Sequence, residues 1–294
     1  MDNDIIGMLK VITFLFILFC YSINGMTQLR IKKLTDLPKK MYETSGLLLY
    51  KNEFLITHND GGNKSEIFIL NKKGESVKTI DIEDTKNTDW EDLAQDKEGN
   101  VYIGDFGNNN NDREKLQILI LEDGFIKKKN VEPKTITFWY EYQDEFPPKK
   151  SNLNYDCEAF FEKDGNLYLL TKCRTKPFSG ISKLYVIPAK PGKHKAKLIG
   201  KFQFCSTSWQ FCSVTSVDYN YKTNTLTVLT YGKLYVVSNI KNNEFWKGNV
   251  KVYNIPNIKQ REAVACAGKN RWYLTDEHKK GFGGGNLYEM YINK

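Results

Sequence analysis

Apolar residues come in pairs of short runs along this chain, and the pairing recurs. "ETSGLLLYKNEFLITHND" begins at Glu43, "WEDLAQDKEGNVYIGD" at Trp90, "DCEAFFEKDGNLYLLTK" at Asp156, "VTSVDYNYKTNTLTVLTY" at Val214 and "REAVACAGKNRWYLTDE" at Arg261. Each couplet holds two strand-length runs rich in β-branched and aromatic residues, split by a polar turn. A third run follows every couplet: "SEIFIL", "KLQILIL", "KLYVIP", "KLYVVS" and "NLYEMYI". A fourth follows in four cases: "SVKTIDI", "TITFWYEY", "KLIGKFQF" and "VKVYNI". The fifth repeat stops at Lys294 without one, while "QLRIKKL", Gln28 to Leu34, stands unused at the other end. Outside the N-terminus no segment has a 3.6-residue period.

Self-similarity at this spacing predicts an all-β fold: a five-bladed β-propeller of four-stranded antiparallel blades, closed by the N-terminal strand. A lone blade exposes two apolar faces and its edges, and a ring of blades buries the faces against neighbours. "QDEFPPKKSNLN", between the second and third repeats, reads as a loop. Six blades is the alternative, if a divergent blade lies in residues 110–155.

Composition fits this picture: of 294 residues, 40% are hydrophobic and 13% aromatic, with seventeen Tyr and seventeen Phe, which favours strands over helices. "MLKVITFLFILFCYSING" changes the boundary of the domain. Lys10 precedes an apolar core from Val11 to Phe19 that is short for a membrane span, so residues 1–25 read as a cleaved signal peptide. Residues 26–294 are then one exported domain, periplasmic or extracellular and expected to be monomeric. Lipidation of Cys20 is the rival reading, with Phe19 a poor residue to precede it. Cleavage removes one lysine and two aspartates, which takes the net charge from +8 to +9. That charge favours a small anionic molecule or a glycan as partner, but the basic residues are spread over loops and no nucleic-acid-binding motif is present.

Five cysteines remain: Cys157, Cys173, Cys205, Cys212 and Cys266. Export permits disulfides. Cys205 and Cys212 bracket "STSWQF" and could staple one loop, Cys157 and Cys173 fall on one hairpin, and the odd thiol is most simply Cys266. With no CxxC and three His, a zinc site of usual spacing is not expected.

Aligning the couplets puts Ser45, Glu91, Glu158, Thr215 and Glu262 in register, each near the start of a channel-lining strand. Two carboxylates about 5 Å apart repel by roughly 3 kcal/mol at an effective dielectric near 20, so three need a cation, protons or hydrogen bonds. An all-oxygen set without His or Cys suits a hard cation, calcium more than magnesium. The alternative is that each Glu caps backbone N–H groups of the next blade. Asp89 is assigned to a turn and Asp92 to the blade interface.

The order Ser45, Glu91, Glu158, Thr215, Glu262 resembles the calcium-activated apyrase family. That resemblance implies a secreted five-bladed propeller with a central calcium ion that hydrolyses nucleoside di- and triphosphates. The family has Ser where Thr215 stands, and an Asp-Arg pair where this chain has "HNDGGNKS". "THND", "DWEDLA", "GDFGNN", "YDCEAF" and "LYLLTK" are more specifically similar to exported bacterial propeller proteins without an assigned molecular function.

Ends of the second strands should surround the same channel mouth. Asp60, Asp105 and His58 are candidate bases; Asn59, Asn109, Arg113, Lys172, Arg174, Tyr231 and Glu277 are candidate substrate contacts. Against this, His58 could be a packed strand-end residue, and Lys172 and Arg174 could be consumed by the ring carboxylates. "GFGGG", Gly281 to Gly285, precedes no helix and is not a phosphate loop. Three readings follow: a calcium-dependent hydrolase of phosphate or other esters, a non-catalytic propeller presenting a face to a glycan, peptide or envelope protein, and a lactonase-like esterase, which the blade number disfavours.

Overall fold

The computed structural model describes residues 28–256, 259–281 and 283–292. The expected signal segment and Cys20 lie outside them. Strands dominate, as the aromatic and β-branched runs require. In chain order they are β1 (Leu29–Asp36), β2 (Thr44–Tyr50), β3 (Phe54–Asn59), β4 (Glu66–Asn71), β5 (Ser76–Ile82), β6 (Trp90–Gln95) and β7 (Val101–Asp105). Then come β8 (Leu116–Leu121), β9 (Asn130–Val131), β10 (Lys134–Tyr140), β11 (Asp156–Lys163), β12 (Asn166–Lys172), β13 (Ile181–Pro188) and β14 (Gly192–Gln203). The last are β15 (Val214–Asn220), β16 (Thr225–Thr230), β17 (Lys233–Ser238), β18 (Asn249–Asn254), β19 (Arg261–Gly268), β20 (Arg271–Asp276) and β21 (Asn286–Ile292).

The sheets run β2-β3-β4-β5-β9, β15-β16-β17-β18, β1-β21-β20-β19, and an eight-stranded β11-β12-β13-β14-β10-β8-β7-β6. β1 pairs antiparallel with β21 from Leu29 opposite Ile292 to Asp36 opposite Asn286, the pairing expected of the unused N-terminal run. Two features were not legible beforehand. The two-residue β9 adds in parallel to β5, and β10 joins β14 in parallel, which fuses two antiparallel units. Residues 110–155 hold β8, β9 and β10, all joined to these sheets, and residues 143–154 form a connection with one 3-10 turn.

Burial falls along each couplet and its followers. β2 is buried at every position and β3 at all but the first, whereas β18 is exposed at five of six. β2 packs beside β6, β6 beside β11, β11 beside β15, β15 beside β19, and β19 beside β2. Apolar clusters fill the spaces between successive units. One joins Leu48, Ile56 and Ile69 to Trp90 and Ile103; another joins Leu47, Leu55 and Phe68 to Ala263, Tyr273 and Leu287. The fold is all-β and propeller-like, and the strands that open each couplet surround its middle. Among the described residues no helix is long and apolar enough to cross a membrane.

Candidate functional site

Each central strand breaks its ladder at the same place. In β11, Cys157 faces Thr171 and Ala159 faces Leu170, so Glu158 is an extra residue. Thr215 and Glu262 are extra in β15 and β19 in the same way. In β2, Ser45 and Gly46 lie between the Thr44–Asn59 and Leu47–Thr57 pairs; in β6, Glu91 and Asp92 lie between Trp90–Asp105 and Leu93–Ile103. A bulge re-aims a side chain that strict alternation would send into a sheet face. Ser45, Glu91, Glu158 and Glu262 thereby line one cavity of about 840 Å³. Thr215 does not line it, and its buried hydroxyl has no hydrogen-bond partner among the described residues.

The carboxylates in this cavity are not alike. Glu91 is 6% exposed, and its side chain has no hydrogen-bond or ion-pair partner among the described residues. Oxygens of Asp60, Asp89 and Glu91 lie within 4.8 Å of one another. Two glycines make room for this crowding. A Cβ on Gly107 would sit 2.3 Å from Glu91 Oε1 and 2.4 Å from Asp89 Oδ2, and one on Gly61 would sit 2.6 Å from Asp89 Oδ1. Burial, followed by the charges of Glu158, Asp60 and Asp89, raises the Glu91 carboxyl well above its ordinary range. Burial with Asp89 and Glu262 pushes Asp60 up to about 7, and burial with Asp156 pushes Asp89 up to about 6. These groups hold negative charge badly without a cation.

Glu158 has its cations. Lys172 Nζ lies 2.9 Å from Oε2 and Arg174 Nη2 lies 3.1 Å from Oε1. Arg174 also donates through Nε to Asp156 at 2.6 Å and through Nη2 to Asn109 Oδ1. Burial opposes the Lys172 charge, but Glu158, Tyr231 and Glu262 outweigh it and raise its pKa. Lys172 donates to the Tyr231 hydroxyl at 3.3 Å, which donates to Glu262 Oε1 at 3.3 Å. Two of the three cations offered as substrate contacts, Lys172 and Arg174, are thus occupied by carboxylates.

Of the other candidates, Glu277 lines the cavity, accepts from Gln260 Nε2, and is pushed up to about 7 by burial and Glu262. Asp105 and Arg113 pair at 3.1 Å; Asp105 also accepts from Asp89 N at 3.0 Å, and Arg113 donates to Gly107 O at 2.6 Å, so both brace the "GDFGNN" loop. Asn59 donates to Lys40 O at 2.7 Å. His58 is fully buried, edge-on to Trp90, and burial lowers it to about 4. None of these four lines the cavity. Asp92 reaches past its own unit, accepting from Phe160 N, Ser216 Oγ and Val217 N at 3.1–3.3 Å, so it ties three central strands together.

Several cavity residues escaped the sequence reading. Gln260, Lys259 and Lys279 lie outside the aligned positions, and Gly283 and Gly284 of "GFGGG" contribute backbone to the wall. Trp209 and Gln210 reach the cavity from the loop closed by the Cys205–Cys212 disulfide. The pairing of those cysteines follows the spacing, while Cys157, Cys173 and Cys266 are free and buried.

No family model and no curated protein matches the chain. Solved structures do. The major allergen Mala s 1 of Malassezia sympodialis superposes with a TM-score of 0.52 at 12% identity, over 85% of this chain and 92% of that one. A candidate gluconolactonase gives 0.50 at 10% identity, over 90% and 92%. The PQQ-bound aldose sugar dehydrogenase of Streptomyces coelicolor gives 0.49 at 12%, over 91% and 99%. At such identities the likeness is one of fold: what this chain has in common with the structures at 0.50 and above is a propeller-like architecture.

Proposed function

We propose that the chain is an exported five-bladed propeller, closed by β1, whose central cavity binds a hard divalent cation and a small molecule beside it. Five blades are supported by the parallel β10–β14 junction, which divides the eight-stranded sheet into two antiparallel units. Closure is supported by the β1–β21 ladder. The cation is calcium in preference to magnesium, held by Asp60, Asp89 and Glu91, because an all-carboxylate set on a loop and two strand ends tolerates flexible coordination. One observation carries this reading: a carboxylate as buried as Glu91, without a partner and beside two more, needs a counter-charge. Glu158 stands outside the ligand set because Lys172 and Arg174 already neutralise it.

A bound cation would polarise a ligand oxygen and leave Glu277 at the cavity wall as a group able to exchange a proton near neutral pH. That supports hydrolysis of a neutral ester more than of a phosphoester. The apyrase resemblance implies a polyphosphate substrate, which would need the cations that Glu158 and Asp156 occupy. The non-catalytic reading draws on the same observation, since a cavity with Lys172 and Arg174 already paired can still hold a neutral glycan. The test is metal analysis of the purified protein together with a calcium-dependent screen of phosphoesters, lactones and carboxylic esters. About one calcium per chain is expected, with turnover confined to uncharged esters. A protein that retains no divalent cation would overturn the proposal.

A further inference from the structure

The lip of the cavity carries an aromatic group that the cation chemistry does not use. Trp209 is 50% exposed. It sits on the helical turn Trp209–Cys212, inside the loop closed by the Cys205–Cys212 disulfide. Ser213 N donates to Trp209 O at 3.2 Å, and Gly232 N donates to Phe211 O at 3.3 Å. The Phe211 ring rests on Gly232 so closely that a Cβ there would lie 2.9 Å from it. The indole itself engages no ring or hydrogen-bond partner among the described residues. A large apolar face thus stands half in solvent on a tethered turn, where it borders both the central cavity and a smaller pocket of about 300 Å³ beside it.

We propose that this site takes a neutral saccharide, with one pyranose face stacked on Trp209 and its hydroxyls directed at the acidic wall. The inference deepens the reading above and rests on the cavity being the ligand site. A pyranose has an apolar C–H face and a rim of hydroxyl donors, and the cavity offers the complement of each. Trp209 supplies the flat apolar surface. Glu262, Glu277 and Gln210 supply polar groups deeper in or beside it. Charge separates a sugar from a nucleotide, which would also stack on an indole. Lys172 and Arg174 are bound to Glu158 and Asp156, and Lys259 lies 3.3 Å from Asp276. Phosphates would meet Glu262 and Glu277, offset by Lys279, which has no ion pair among the described residues, and by a single cation at Asp60 and Glu91. A cavity of this size is in the range that encloses a small ligand of more than one ring.

Isothermal titration of the mature protein in calcium tests this, with methyl glucoside, methyl mannoside, methyl galactoside, cellobiose and maltose as saccharide probes and ADP and inorganic phosphate as anionic ones. At least one saccharide should bind at millimolar concentration or tighter. Trp209→Ala should weaken it about tenfold or more, Trp209→Phe less, both with unchanged melting temperature. Tighter binding of ADP or phosphate than of every saccharide, no saccharide binding to the wild type, or equal binding by Trp209→Ala overturns the proposal. The calcium-induced rise in melting temperature is measured on the same samples. Its presence without sugar binding removes only this inference, and its absence removes the cation reading.

Discussion

Glu91 and Glu158 occupy equivalent bulges in neighbouring central strands, yet their surroundings are opposite. Glu158 meets two cations; Glu91 meets two more carboxylates. The difference comes from the ends of adjacent strands. β12 ends in Lys172, with Arg174 close behind, while β3 is followed by Asp60 and β6 is preceded by Asp89. A repeat can therefore fix where a carboxylate points without fixing what it does. On one side the fold builds its own counter-ion, and on the other it leaves a need that a dissolved cation can meet.

The largest expected effect comes from making the two sides alike. Lys172→Met leaves Glu158 with Arg174 alone and should cost about 3–5 kcal/mol, the range for breaking a buried pair. Combining it with Glu158→Gln should recover much of that loss in urea melts. If Lys172→Met alone is neutral, Glu158 does not depend on its internal cation.

A somewhat smaller effect belongs to pH, and to the Glu91 side alone, through His58 packed on Trp90. Its ordinary pKa of 6.5 falls to about 4 on burial. A depressed histidine contributes stability that is complete above about 6.5 and is lost as pH falls toward 4. The advantage of wild type over His58→Leu should shrink by about 3 kcal/mol across that window. Denaturant unfolding of both proteins at each pH checks it; a constant difference would mean that His58 is charged or solvated in the fold.

How much of this contrast the sequence displays depends on what kind of signal each part carries. The strands were legible because alternating apolar runs and polar turns repeat, and the anchors because they recur at one position. The bulges left a fainter trace: apolar Trp90 and Leu93 are three apart, where a regular strand face has residues two apart. Asp89 was not readable as a neighbour of Asp60 and Glu91, since nothing in a strand period reports where a residue before the strand points. Nor does any period report the space that the missing Cβ of Gly61 and Gly107 leaves to Asp89 and Glu91. Lys172 and Arg174 were offered as substrate contacts and line the cavity, but their alternation could not tell whether they would meet a substrate or Glu158. Trp209 had no periodic context at all.

The central claim is that the Glu91 side, and not the Glu158 side, holds the cation. Melting temperatures of wild type, Glu91→Gln and Glu158→Gln, each in calcium and in chelator, test it most directly. Calcium should stabilise wild type by about 2.7 kcal/mol at a hundredfold excess over Kd. Glu91→Gln should lose most of that gain and be no less stable than wild type in chelator, because it relieves an uncompensated charge. Glu158→Gln should keep the gain but melt lower in both conditions, because Lys172 and Arg174 lose a partner. A Glu91→Gln variant with the full calcium response would contradict the account.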